Sequence, residues 1–136
     1  AYVSYDFGPL ALTVTNYTFP DGDGTYSSGG FFEGDLEISA STDIGGLSLM
    51  AGYFPDLETL YVEAGFGLGA VDFAIGFGSD SADAFYVGAG ESAICNVSFG
   101  YSKEIKITDD YSLPLFSSFI FNPKSEAAFI VFGASF

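Results

Sequence analysis

This 136-residue sequence predicts an all-β fold, an antiparallel up-and-down transmembrane β-barrel of about 8–12 strands in the intact protein. Three observations predict it. Apolar residues recur at every second position along most of the chain, and no helical period of 3.6 competes with them. The face opposite the apolar one is built from Gly, Ser and carboxylates, whereas a solvated sheet face normally carries Lys, Arg, Thr and Glu. The connections also alternate along the chain. Those at 8–9, 43–46, 69–70 and 108–110 are short, and those at 20–30, 54–58, 79–91 and 122–126 are mostly longer. Outer-membrane barrels sort their turns in this way, short on the periplasmic side and longer outside.

The elements follow in order. Val3, Tyr5 and Phe7 alternate with Tyr2, Ser4 and Asp6 up to a Gly8-Pro9 turn, and Leu10, Leu12 and Val14 continue the pattern. A long polar loop occupies 21–30. Phe32, Leu36, Ile38 and Ala40 then oppose Glu33, Asp35, Glu37 and Ser39. Leu47, Leu49, Ala51 and Tyr53 make the next apolar face, followed by Leu60, Val62, Ala64, Phe66 and Leu68. Val71, Phe73, Ile75 and Phe77 alternate with Asp72, Ala74, Gly76 and Gly78. Phe85 and Val87 mark a candidate strand inside the long connection at 79–91. Cys95, Val97, Phe99, Tyr101, Ile105 and Ile107 share one face, which places Cys95 toward lipid as an inert small hydrophobe. Leu113, Leu115, Phe119 and Phe121 precede a terminal strand in which Ala128, Ile130, Phe132, Ala134 and Phe136 line one side.

This gives roughly nine strands in one domain, 1–136. An odd count is unusual for a bacterial barrel. Either 84–91 hides a strand or N-terminal strands are missing. The second is the expectation, because Ala1 opens directly into a strand pattern with neither cap nor leader peptide.

Composition excludes several function classes. Eighteen acidic residues face three lysines, with no Arg and no His, for a net charge of −15. Nucleic acid, which needs clustered cations, is excluded as a partner. So is docking on anionic head groups through a basic patch. Without His, and with Cys95 alone, there is no imidazole base, paired thiol or zinc spacing. No carboxylate stands apart as a pocket acid, so the chain reads as no enzyme, with no cofactor. No run approaches the ~18 apolar residues of a membrane helix, so a place in the membrane requires a barrel.

An alternating strand that ends on a C-terminal Phe resembles the closing strand of outer-membrane barrels, which implies that Phe136 is the signal for the barrel-assembly machinery. The stretch 103–115, KEIKITDDYSLPL, together with Phe121-Asn122-Pro123 and the ending Phe132-Gly133-Ala134-Ser135-Phe136, is similar to a porin family of Bacteroides-type bacteria. Tyr5-Asp6-Phe7-Gly8-Pro9-Leu10 resembles that family's recurrent hairpin. The resemblance implies an outer-membrane barrel of about a dozen strands, of which this chain forms the C-terminal part. It carries no catalytic motif. The absence of Arg and Trp and the acid-rich strand at 33–37 depart from the family pattern.

Site residues follow from the alternation. Glu33, Asp35, Glu37, Glu63, Asp72 and Glu104 should face the lumen, where carboxylates favour cations. Phe66, Phe73, Phe99, Phe132 and Phe136 should face lipid. Asp21 and Asp23 have the oxygen density for Ca²⁺ but not the remaining ligands of an EF-hand loop, and 21–24 reads as a solvated turn. The function expected is passive diffusion of small, cationic solutes across the bacterial outer membrane. Outer-membrane lipid and other outer-membrane proteins are the expected surroundings. Two alternatives compete with it: a closed structural barrel whose acidic loops bind a partner, and a soluble acidic β-sandwich.

Overall fold

The computed structural model describes residues 1–18, 34–81, 85–109 and 111–135. Nine strands form one sheet in which every strand pairs antiparallel with its neighbours in the chain: β1 (Tyr2–Phe7), β2 (Leu10–Tyr17), β3 (Asp35–Ile44), β4 (Leu47–Phe54), β5 (Thr59–Leu68), β6 (Val71–Asp80), β7 (Ser92–Lys106), β8 (Ser112–Asn122) and β9 (Ala127–Ala134). Among the described residues there is no helix long and apolar enough to cross a membrane.

Local chemistry makes the turns. Gly45 and Gly46 have φ of +61° and +88°, the left-handed pair of a two-residue hairpin whose twist matches its strands. At the opposite end, 55–58 and 123–126 use one four-residue device. Each begins with Pro and ends with a glutamate in the left-handed region, Glu58 at φ +49° and Glu126 at +56°. In the second of these, Asn122 Oδ1 accepts the N–H groups of Lys124 and Ser125, an Asx turn that starts the reversal. The two-residue turns all lie at one end of the sheet, and the 81–91 connection lies at the other with 55–58 and 123–126.

Register sorts the side chains into two faces. One row across the sheet reads Leu47, Phe66, Phe73, Phe99, Phe119, Ile130. A second reads Phe7, Leu10, Thr42, Leu49, Ala64, Ile75, Val97, Phe121, Ala128. Neighbouring rings touch within the first row: Phe66 and Phe73 stack at 5.1 Å between centroids, and Phe73 and Phe99 lie at 5.2 Å. This apolar face is uncovered. Phe66 is 52% exposed, and Phe132, on the same face, 78%.

Two expectations change here. Phe85 and Val87 form no strand; they fold as bends against the other face. Cys95 does not share the face of Val97 and Phe99. Phe77 pairs with Ile94 and Gly76 with Asn96, which leaves Cys95 as the extra residue of a β-bulge. The bulge turns Cys95 and Asn96 to the same side, opposite the apolar face, and Cys95 is buried there. Strict alternation counted back from Tyr101 misses this one-residue slip.

The sheet is open. Among the described residues β1 pairs only with β2 and β9 only with β8. In a nine-strand antiparallel meander β1 and β9 run in the same direction, so pairing them directly would make a parallel ladder.

Candidate functional site

The face opposite the apolar one carries the polar chemistry, and β5, β6 and β7 concentrate it. Small residues in the strands make room for large polar ones from their neighbours. A Cβ on Gly76 would collide with the Tyr61 ring and hydroxyl, so only glycine lets that ring lie across β6. Tyr61 donates its hydroxyl to Glu63 Oε2. The Asn96 amide donates to both, at 3.1 Å to Tyr61 Oη and 2.8 Å to Glu63 Oε2. The bulge at Cys95 brings Asn96 into this cluster. Its Oδ1 is buried with no hydrogen-bond partner among the described residues.

A second cluster sits at the end of β6. Asp80 is 2% exposed and Thr59, its register partner on β5, 0%. Thr59 Oγ1 donates to Asp80 Oδ1 at 3.0 Å. Asp80 Oδ2 accepts four backbone N–H groups in a row: Phe85 at 3.0 Å, Tyr86 at 2.8 Å, Val87 at 2.7 Å and Gly88 at 3.0 Å. Four consecutive amides turned toward one carboxylate oxygen form a backbone nest, with the anion supplied by the protein itself. The nest holds 85–88 against the inner face. Phe85 packs on Phe54 at 5.0 Å and Tyr86 on Tyr61 at 5.0 Å. Phe54, Val87 and Cys95 are the buried hydrophobic residues of the described chain. Burial pushes the Tyr86 hydroxyl above the ordinary tyrosine range, and the carboxylate of Glu37 adds to the push.

Toward the two-residue turns the same face is open. A groove of ≈ 540 Å³ runs there, lined by Ser48, Gly65, Ala74, Ser98 and Gly100, with Asp43, Asp72 and Phe116 among its walls.

The acids predicted to share a face do so by register where they are described. Asp35, Glu37, Glu63, Asp72 and Glu104 all lie opposite the Phe66–Phe73–Phe99 row. They do not form one cluster. Glu63 binds Tyr61 and Asn96, Glu37 lies against Gly52, Asp72 sits in the groove, and Glu104 is exposed near the end of β7. Glu33, Asp21, Asp23 and Phe136 lie outside the described residues. Among the described residues no three His, Cys, Asp or Glu side chains gather as a metal-ion site.

Sequence reasoning missed Asp80, Thr59 and Asn96. Asp80 looks like the polar start of a loop, and nothing local marks it as buried. On β8 and β9 the inner face is also apolar. Phe116 lies over Gly133, and Phe116, Phe129 and Val131 are exposed there.

No family model matches the chain, and neither the curated proteins nor the solved structures give a match.

Proposed function

We propose that this chain is wall material of a bacterial outer-membrane β-barrel that lets small solutes diffuse passively, cations ahead of anions. One observation carries the reading: a nine-strand sheet leaves a continuous apolar face uncovered, while its other face from β2 to β7 holds the carboxylates, hydroxyls and glycines. In water an exposed apolar surface of that extent is unfavourable, at roughly 25 cal/mol per Å². In lipid the same face is matched to its solvent, and between the two edges the backbone polar groups are satisfied by neighbouring strands. The net charge of −15, with Glu37, Glu63 and Asp72 on the other face, favours cations. An all-antiparallel closure takes an odd number of further strands between β1 and β9, because those two edges run the same way.

The test is detergent dependence followed by conductance. The chain refolded with micelles should give a β circular-dichroism spectrum and a monodisperse elution profile, and the chain in plain buffer should not. A cooperative fold in plain buffer would mean the apolar face is covered by protein, and the membrane reading would fall. Planar-bilayer recordings on the closed barrel in a salt gradient should show a cation-selective reversal potential.

A second reading, a closed structural barrel, draws on one observation: 85–88 folds onto the inner face and covers Cys95 and part of Tyr61. It predicts micelle-dependent folding with no conductance.

A further inference from the structure

We propose that residues 85–88 are a strap across the inner face, latched by the Asp80 carboxylate, and that this latch controls access to the inner face from the long-connection end. The inference rests on the barrel reading for its physiological meaning, but the latch stands on geometry alone.

The strap has no strand partner to hold it, since 85–88 is a run of bends outside the sheet ladders. Its side chains pack on Phe54 and Tyr61, and its backbone is fixed by one side chain. All four of its amides converge on Asp80 Oδ2, and Thr59 holds the other carboxylate oxygen, which sets the direction in which Oδ2 points. The flanks are tied more ordinarily. Asp80 N–H donates to Glu91 C=O at 2.9 Å and Ser81 N–H to Glu58 C=O at 3.2 Å. Lys124, from the 123–126 turn, forms an ion pair with Glu91. The ends therefore stay anchored if the centre lifts.

Beneath the strap the sheet is hollowed to receive it. A Cβ on Gly78 would meet Tyr86 Cβ at 2.7 Å, Cys95 Sγ at 3.1 Å and Val87 Cγ1 at 3.3 Å. The strap and the bulged thiol thus crowd the same space above Gly78. Away from the strap, the other end of the face holds the open Ser/Gly groove. One end of the inner face is therefore covered and the other open. The cover depends on a single buried anion whose neutralisation removes the charge from five hydrogen bonds at once.

Cys95 is the chain's one thiol and lies under the strap, so it reports opening directly. The experiment follows the rate at which a hydrophilic maleimide labels Cys95 in the micelle-refolded chain, alongside amide hydrogen exchange. Wild type should label slowly, and D80N at least tenfold faster. Exchange should accelerate at the 85–88 amides in D80N while the β5–β6 ladder amides keep their protection. A merely destabilised sheet would lose both. If D80N fails to refold, T59V carries the test: it keeps the carboxylate but frees Oδ1, and labelling should rise severalfold. The proposal is overturned if Cys95 labels in wild type as fast as in the denatured chain. It also falls if labelling is unchanged in the folded variants, or if the ladder amides exchange as fast as the strap. Absence of conductance from the closed barrel would refute the pore reading and leave these readouts intact.

Discussion

Thr59 and Asp80 face each other across β5 and β6, hydroxyl to carboxylate at 3.0 Å, and both are almost wholly out of solvent. A buried carboxylate is costly unless hydrogen bonds surround it, and this one accepts five. Thr59 Oγ1 also lies 3.2 Å from Leu57 C=O, so its proton is shared between the 55–58 turn and the Asp80 carboxylate. T59V, close to isosteric, should lower the unfolding free energy of the micelle-refolded chain by about 1–3 kcal/mol, the usual cost of leaving a buried acceptor unpaired. A urea titration followed by circular dichroism reads this directly. An unchanged midpoint would show the pair to be energetically idle.

Phe99 lies in the middle of the aromatic row, touching Phe73. If that row faces lipid, F99R should destabilise the sheet by about 2–4 kcal/mol in a bilayer, the range for a cation near the midplane of a barrel's lipid face. S98R, one residue along on the opposite face, should cost much less. Equal costs would remove the distinction between the faces, and improved behaviour of F99R in plain buffer would indicate a water-facing surface.

The two sheet edges should stay apart in the isolated chain. Ser4 and Thr13 are register partners on β1 and β2, so S4C/T13C in a C95S background should form a disulfide readily. S4C/V131C, which places thiols on β1 and β9 on the same face, should not. Efficient cross-linking of the second pair would mean that β1 and β9 meet in a parallel ladder and the barrel closes on nine strands.

Gly76 makes room for the Tyr61 ring. G76A puts a methyl group where the ring lies, and should cost about 1–3 kcal/mol as an overpacked contact. Ring removal in Y61A should relieve most of that cost, so the double-mutant cycle should show coupling of the same order. Additive effects would mean that the ring moves aside freely and that the Tyr61–Glu63–Asn96 cluster is loosely held.

The sequence by itself determined the nine strands, their order in the chain and the face of nearly every residue in them. A strand's side chains alternate with a period of two, so one apolar run assigns the face of every residue in its own strand. Phe66, Phe73 and Phe99 could be put on one face, and Glu37, Glu63 and Asp72 on the other, from parity alone. The placing of the connections at alternate ends was legible for the same reason, since an antiparallel meander leaves no other arrangement. Tertiary structure alone decided what parity cannot carry. Cys95 turned inward because a bulge inserts one residue into β7 opposite β6, and pairing between strands is not written in either strand separately. Asp80 became a buried anchor because amides five to eight positions later in the chain fold back onto it, a closure that no local pattern announces. The open edges were also a tertiary result. Alternation says which way a side chain points, but only the curvature and pairing of the whole sheet decide whether its first and last strands meet.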